Sequence, residues 1–296
     1  MGVIDIDPEL LQRSADAALH AAEQGLVHME AEYRGAIDPL METLVDQEPL
    51  AYAIRPVINE DGTVEIPVET TRDRIRDWYV QTRGASDMLP GWSLVEVRGE
   101  WYSFTEQITR ARLKNGDPHV YETEVILLLP VTTGPGITGE LCWNRTPSIS
   151  LGTDPERVAG ERTRPDLRRE LLEADDRHLE ALRSGDVDGL VKLLDDGAQA
   201  AVRDYVAGTG TLVALRGAAE HRAHHEAFFA AFEVLGVDLL HRVVQEWYLF
   251  HEVRMTVRLR TGPEAGEQRS FRVAEFVIPT ADGRVMVRIG HGTDPA

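Results

Sequence analysis

The seven residues Glu100-Trp101-Tyr102-Ser103-Phe104-Thr105-Glu106 return as Glu246-Trp247-Tyr248-Leu249-Phe250-His251-Glu252, with five identities at an offset of 146. Two of the repeated residues are the rare Trp and Tyr. The next stretch matches as well: 121–130 and 271–279 are both largely apolar and both end in proline. Each is followed by a turn, Thr132-Thr133-Gly134-Pro135-Gly136 in one and Thr280-Ala281-Asp282-Gly283 in the other, and then by a last apolar run, 137–143 and 284–291. An ordered series of this kind means two copies of one unit. They are expected at 1–155 and 165–296, joined by the charged, turn-rich stretch 156–165. The chain has 296 residues, a length that suits two ordinary domains.

Both copies follow one order of elements, clearest in the second. Pro165 and Asp166 open a helix whose apolar residues Leu167, Leu171, Leu172, Leu179 and Leu182 fall at helical spacing. Ser184-Gly185-Asp186 stops it, and 187–194 forms a short second helix. A turn-rich stretch at Gly208-Thr209-Gly210 precedes a third helix over 218–235, with Phe228, Phe229, Phe232 and Leu235 along one side. Three strands follow at 239–260, 269–278 and 284–291. Helices first and an antiparallel meander after make an α+β plan.

The helix signature 175–182 with Ser184-Gly185-Asp186 resembles the SnoaL-like, or nuclear-transport-factor-like, superfamily. So do Leu215-Arg216-Gly217 before the third helix, the run Phe228-Phe229-Ala230-Ala231-Phe232, the Trp247-Tyr248-x-Phe250-x-Glu252 strand and the closing Asp282-Gly283-Arg284-Val285. The resemblance covers nearly all of the second copy and, more weakly, the first. It implies two cone-shaped domains, each with N-terminal helices packed on a curved antiparallel sheet around a pocket. It also implies a choice among functions, since the superfamily includes ketosteroid isomerases, scytalone dehydratases, polyketide cyclases, epoxide hydrolases and binding-only domains. The strand Arg-x-Asp arrangement of the epoxide hydrolases is missing here, because Arg254, Arg258, Arg272 and Arg288 all lack an Asp two residues later.

Strand alternation identifies ionisable groups on apolar faces. His251 is the polar member of a row with Trp247, Leu249, Val253, Met255, Val257 and Leu259. Glu275 shares a face with Phe271, Val273 and Val277, and His291 with Val285, Val287 and Ile289. Asp175 lies within the apolar stripe of the first helix. These four, His251, Glu275, His291 and Asp175, are the expected catalytic set. A Glu275 raised by burial would take a proton, and His251 or His291 would return one or donate to an oxyanion. His225, Phe228, Phe232, Trp247 and Tyr248 are the expected substrate-binding residues. The first copy has Thr105 for His251, about Trp143 for His291 and Ile126 or a neighbour for Glu275, so it is expected to be degenerate.

A net charge of −19 disfavours nucleic acid and anionic membrane surfaces as partners. Cys142 is the sole cysteine and Lys114 and Lys192 the only lysines, which excludes disulfides, cysteine-based zinc sites and, in practice, Schiff-base chemistry. The pair His221 and His225 has helical metal-ligand spacing but no identifiable third ligand, so no metal is expected. The opening residues carry neither a signal-peptide pattern nor a myristoylation site, and the expected location is cytoplasmic. The expectation is a cofactor-free lyase or isomerase acting by proton transfer on a small apolar carbonyl or hydroxyl compound, such as a steroid, terpenoid or polyketide. The alternative is a non-catalytic binding or scaffold protein. The two copies are expected to pair with each other, and a homodimer stays open.

Overall fold

The computed structural model describes residues 7–54, 57–58, 64–145, 167–280 and 282–296. The expected linker 156–165 and the helix opening at Pro165-Asp166 lie outside the described residues. The chain divides into two compact units, Met1–Tyr52 with Glu69–Arg145, and Ala53–Val68 with Thr146–Ala296. The division runs through the first strand.

Helices α1 (Pro8–Arg34) and α2 (Ile37–Glu42) come first, followed by β1 (Ala51–Ile54), the short strands β2 (Val57–Ile58), β3 (Val64–Glu65) and β4 (Val68–Glu69), and α3 (Arg72–Ala85). Long strands β5 (Ser86–Arg98), β6 (Tyr102–Leu113), β7 (Tyr121–Pro130) and β8 (Gly139–Asn144) complete a six-stranded sheet in the order β4-β1-β8-β7-β6-β5.

The later part repeats the plan with α4 (Leu167–Ser184), α5 (Val187–Lys192), β9 (Leu194–Arg203), β10 (Leu212–Arg216) and α6 (Gly217–Ala231). Strands β11 (Phe232–Val244), β12 (Leu249–Leu259), β13 (Gln268–Pro279) and β14 (Val285–Gly292) follow, and the sheet order is β10-β9-β14-β13-β12-β11. Gly185 stops α4 because it takes a left-handed φ of 69°, a conformation that costs glycine little. Asp186 then caps α5, its carboxylate accepting from the Gly189 N–H at 2.9 Å. The main apolar core of this unit joins Leu179 of α4 and Phe228 of α6 to Val253, Met255 and Phe271 of the sheet. Burying a side chain of this size contributes roughly 1.5–3 kcal/mol. Residues 53–68 also belong to this unit, where the Ile66 N–H donates to Gln199 Oε1 at 3.0 Å and Glu65 pairs with Arg216.

Three details of the sequence reading change. The third helix ends at Ala231 rather than 235, since Phe232 to Val244 form a strand. Phe228 and Phe232 still reach the same core, because the last helical turn and the first strand residue cover the same ground. The expected bent strand over 239–260 is two antiparallel strands, β11 and β12, joined by a turn at 245–248. Finally, β14 pairs with β9 in parallel, so the sheet is mixed.

The repeat can be followed residue by residue. Trp101 meets Tyr102 edge-on at 5.0 Å and 73°, and Trp247 meets Tyr248 at 4.8 Å and 72°. From the matched pair Phe104 and Phe250, register leads across each sheet: Phe104 to Leu128 to Leu141, and Phe250 to Phe276 to Ile289. Glu140 therefore corresponds to Arg288. Helices α1 and α4 both end at a left-handed glycine, Gly35 and Gly185, which matches His28 to His178. The ends of α3 and α6 match Tyr79 to His225 in the same way.

Candidate functional site

A pocket in the second unit opens between α4, α6 and the concave face of the sheet, with about 770 Å³ of empty space counting the solvent at its mouth. His178 and Leu182 of α4 line it, as do His221, His224, His225 and Phe228 of α6. The sheet contributes His251, Val253 and Met255 from β12, and Phe271, Val273 and Glu275 from β13. Arg288 and Gly290 of β14 and Arg203 and Tyr205 at the end of β9 complete the ionic side.

Register places the central groups. His251 is opposite Glu275, and Glu275 is opposite Gly290. Gly290 is needed there because a Cβ would run into the Cβ of Glu275 and lie 3.0 Å from the Ala274 carbonyl. His251 is 1% exposed. Its Nδ1 donates to Asp175 Oδ1 at 2.6 Å and its Nε2 to Glu275 Oε1 at 3.0 Å. Arg288 also donates to Glu275 Oε1, and its Nη1 reaches His178 Nε2 at 2.6 Å. Behind the pocket, Arg242 lies 2.6 Å from Asp175 Oδ2 and 2.8 Å from Asp176 Oδ1. The result is a row, half-buried at Arg242 and buried through Asp175, His251, Glu275, Arg288 and His178, in which each charge meets its opposite. Without that pairing a buried ion is costly.

Burial is the largest influence on His251 and opposes its charge, but the charge and hydrogen bonds of Asp175, together with Glu275, outweigh it and raise the ring to about 9. Burial likewise pushes Glu275 up, and Arg288, followed by His251, pulls it well below the usual carboxylate range. Glu275 is therefore an anion, not the raised carboxylic acid expected from its apolar strand face. The remaining pocket histidines go the other way. Burial and then the nearby Arg288 lower His221 to about 4 and His225 to about 3, and hold His178 well below 6.5. At neutral pH the pocket thus sets one imidazolium among neutral imidazoles.

Of the residues expected from sequence, His251, Glu275, His225 and Phe228 line the pocket. Asp175 is buried one layer behind, on His251. His291 is not among the lining residues. Alternation along β14 puts Arg288 and Gly290 on the pocket side and His291 on the other, where its Nδ1 accepts from the Gly292 N–H at 2.8 Å. Every residue of β14 is buried, so apolar alternation could not tell its faces apart. Phe232 packs in the core, while Trp247 and Tyr248 are buried in the β11–β12 turn and do not line the pocket. Sequence reasoning missed His178 and Arg288 as pocket groups, while His221 lines the pocket with His225, whose helix face it shares. The spacing of His178, three residues after Asp175, was the available signal. Among the described residues no group of three His, Cys, Asp or Glu could hold a metal ion.

Residues 176–287 match the family model for the SnoaL-like domain. This stretch of the chain is a SnoaL-like domain. No curated protein matches the chain. Among solved structures the chain is similar to SalBIII, an epoxide hydrolase/cyclase-like enzyme in pyran ring formation in the polyether salinomycin, at 15% identity over 43% of this chain and 95% of that one, with a TM-score of 0.36. It is also similar to a protein from Jannaschia sp. CCS1 assigned as a SnoaL-like polyketide cyclase, at 16% identity over 44% and 90% of the two chains, TM-score 0.37. A third is a protein of ketosteroid isomerase-like fold from Catenulispora acidiphila DSM 44928, at 10% identity over 40% and 84%, TM-score 0.34. Among the described residues, no helix is long and apolar enough to cross a membrane.

The first unit carries a different polar group at the matching places. Tyr79 donates to Glu140 Oε2 at 2.6 Å and lies 3.3 Å from both His28 Nε2 and the Tyr52 hydroxyl. His28 Nδ1 reaches Thr43 Oγ1 at 2.6 Å. All four, His28, Tyr52, Tyr79 and Glu140, are buried. Where the SnoaL-like domain has Asp175 and His251, this unit has Gly25 and Thr105, and a separate cavity lies against them.

Proposed function

We propose that the SnoaL-like domain is a cofactor-free lyase or isomerase that moves protons on a small, largely apolar carbonyl or hydroxyl compound. The observation that carries this reading is the clamped imidazolium of His251 at the wall of an apolar pocket that the neutral imidazole of His225 also lines. Asp175 fixes the ring and keeps it charged, as a carboxylate behind an imidazole does in acid–base sites. For a β-hydroxy carbonyl compound, His225 takes the proton next to the carbonyl. The released C–H electron pair forms the double bond, and the C–O bond breaks. The departing oxygen displaces Glu275 from the Nε2 hydrogen of His251, takes that proton and leaves as water, after which the two rings re-equilibrate with solvent. Isomerisation uses the same pair, with the proton returned to another carbon. Glu275, itself held as an anion by Arg288, helps Asp175 keep the acid charged and oriented in both cases.

The test is a panel of β-hydroxy ketones and β,γ-enones, followed by growth of conjugated-enone absorbance and by thermal shift. Turnover is expected for at least one class, with His251→Gln and His225→Gln each lowering kcat by about 10²-fold or more while the Tm shift with ligand persists. Binding without turnover across the panel would make this a carrier of small molecules. No binding at all would overturn the pocket itself.

A further inference from the structure

His221 stands on α6, four residues before His225, and is 3% exposed. Its ring is hydrogen-bonded to the backbone of Ala198, and its Nε2 is buried with no hydrogen-bond partner among the described residues. The Ala198 bond therefore uses Nδ1, which must carry the hydrogen to donate to a carbonyl. This fixes the tautomer. Nε2 is left as a lone pair, and the ring lines the pocket. A buried acceptor of this kind is costly unless something in the pocket donates to it. Ketones, ethers and hydrocarbons have no hydrogen to give.

Resting on the pocket reading above, we infer that the ligand of this site carries a hydroxyl group that donates to His221 Nε2, making His221 a specificity-determining residue for alcohols. The rest of the surroundings fit an apolar body: Leu182, Leu215, Phe228, Val253, Met255 and Phe271 line the same space. The counterpart of His221 in the first unit, by the α3–α6 match, is the buried apolar Ile75, so the acceptor is particular to the second unit.

The test compares 2-indanol with indane, which share a ring system and differ in one hydroxyl. Protein labelled with ¹⁵N-histidine is titrated with each and the Nε2 resonance of His221 is followed. The expected result is that 2-indanol moves this resonance in the direction of an accepted hydrogen bond, while indane does not. In His221→Phe, which keeps a ring of similar size, the preference for 2-indanol over indane falls about five- to tenfold, with indane affinity retained. Equal affinities for the two compounds in the native protein, or an unchanged preference in His221→Phe, would overturn the inference and leave the pocket standing. An Nε2 resonance indifferent to 2-indanol while both compounds bind would assign the acceptor to water and overturn it too. Binding of neither compound would overturn the pocket reading and this inference with it.

Discussion

Arg288 of the second unit and Glu140 of the first hold the same position on matching strands and carry opposite charges. Each faces a helix histidine at a matching position, His178 at 2.6 Å from Arg288 and His28 at 3.5 Å from Glu140. A duplicated frame has thus been wired twice. In the second unit the guanidinium holds a carboxylate and, through it, an imidazolium. In the first unit a carboxylate holds a tyrosine hydroxyl. The difference sits on top of a common backbone, which is why fold and chemistry separate here.

Removing one member of the buried row should be far worse than removing a pair. Arg288→Met leaves Glu275 as a buried carboxylate with less compensation, and a loss of about 3–5 kcal/mol is expected. The double variant Arg288→Met/Glu275→Gln should recover part of that loss. Urea unfolding of the two single variants and the double gives the coupling, and additive losses would show that the pair does not interact.

Stability should peak near pH 6.5 and fall on both sides. His251 has a folded value near 9, above the ordinary 6.5, so its contribution is complete below 6.5 and is lost as pH rises through 9. His221, His225 and His291 have folded values near 4, 3 and 3. Their unfolded forms bind protons first, so their contribution is present above 6.5 and is lost as pH falls towards 3. Each titrating group adds a slope of up to about 1.4 kcal/mol per pH unit, which makes the acid limb the steeper one. Urea midpoints from pH 4 to 10 check this, and Asp175→Asn should flatten the alkaline limb by lowering His251.

Two glycine substitutions should act in opposite directions. Gly290→Ala forces a methyl against Glu275 and the Ala274 carbonyl and should destabilise by about 1–3 kcal/mol, with loss of the His251–Glu275 hydrogen bond. Gly84→Ala, in an exposed part of α3 with nothing within 4 Å of the new carbon, should stabilise by about 0.5 kcal/mol. Thermal unfolding separates the two outcomes.

Tyr79→Phe removes the hydroxyl that donates to the buried Glu140. A cost of about 1–3 kcal/mol is expected, with the His251 ring still titrating near its native value. Chemical denaturation and histidine NMR on the same variant distinguish a local loss in the first unit from a general one.

The repeated Glu-Trp-Tyr-x-Phe-x-Glu segment, the helix stops and the order of elements carried enough to read a duplicated α+β fold from the chain. They could do so because turn chemistry and periodicity are local properties. The concave face of β12 and β13 was legible for the same reason: His251 and Glu275 interrupt otherwise apolar rows. Where both faces of a strand are buried, as on β14, alternation carries no direction and points to His291 where the structure has Arg288. The boundary between α6 and β11 was blurred because Phe228 and Phe232 serve one core from either element.

The sequence by itself determined the repeat, the class of fold and the residue types available for chemistry. Only the tertiary structure decided their ionisation. Asp175 and His251 are 76 positions apart, and Arg288 meets His178 across 110. An electrostatic environment is set by distance in space and by exclusion of water, neither of which is written in local order. Burial alone points to a raised Glu275, whereas the guanidinium folded against it makes it an anion, and Asp175 together with that anion makes His251 a cation.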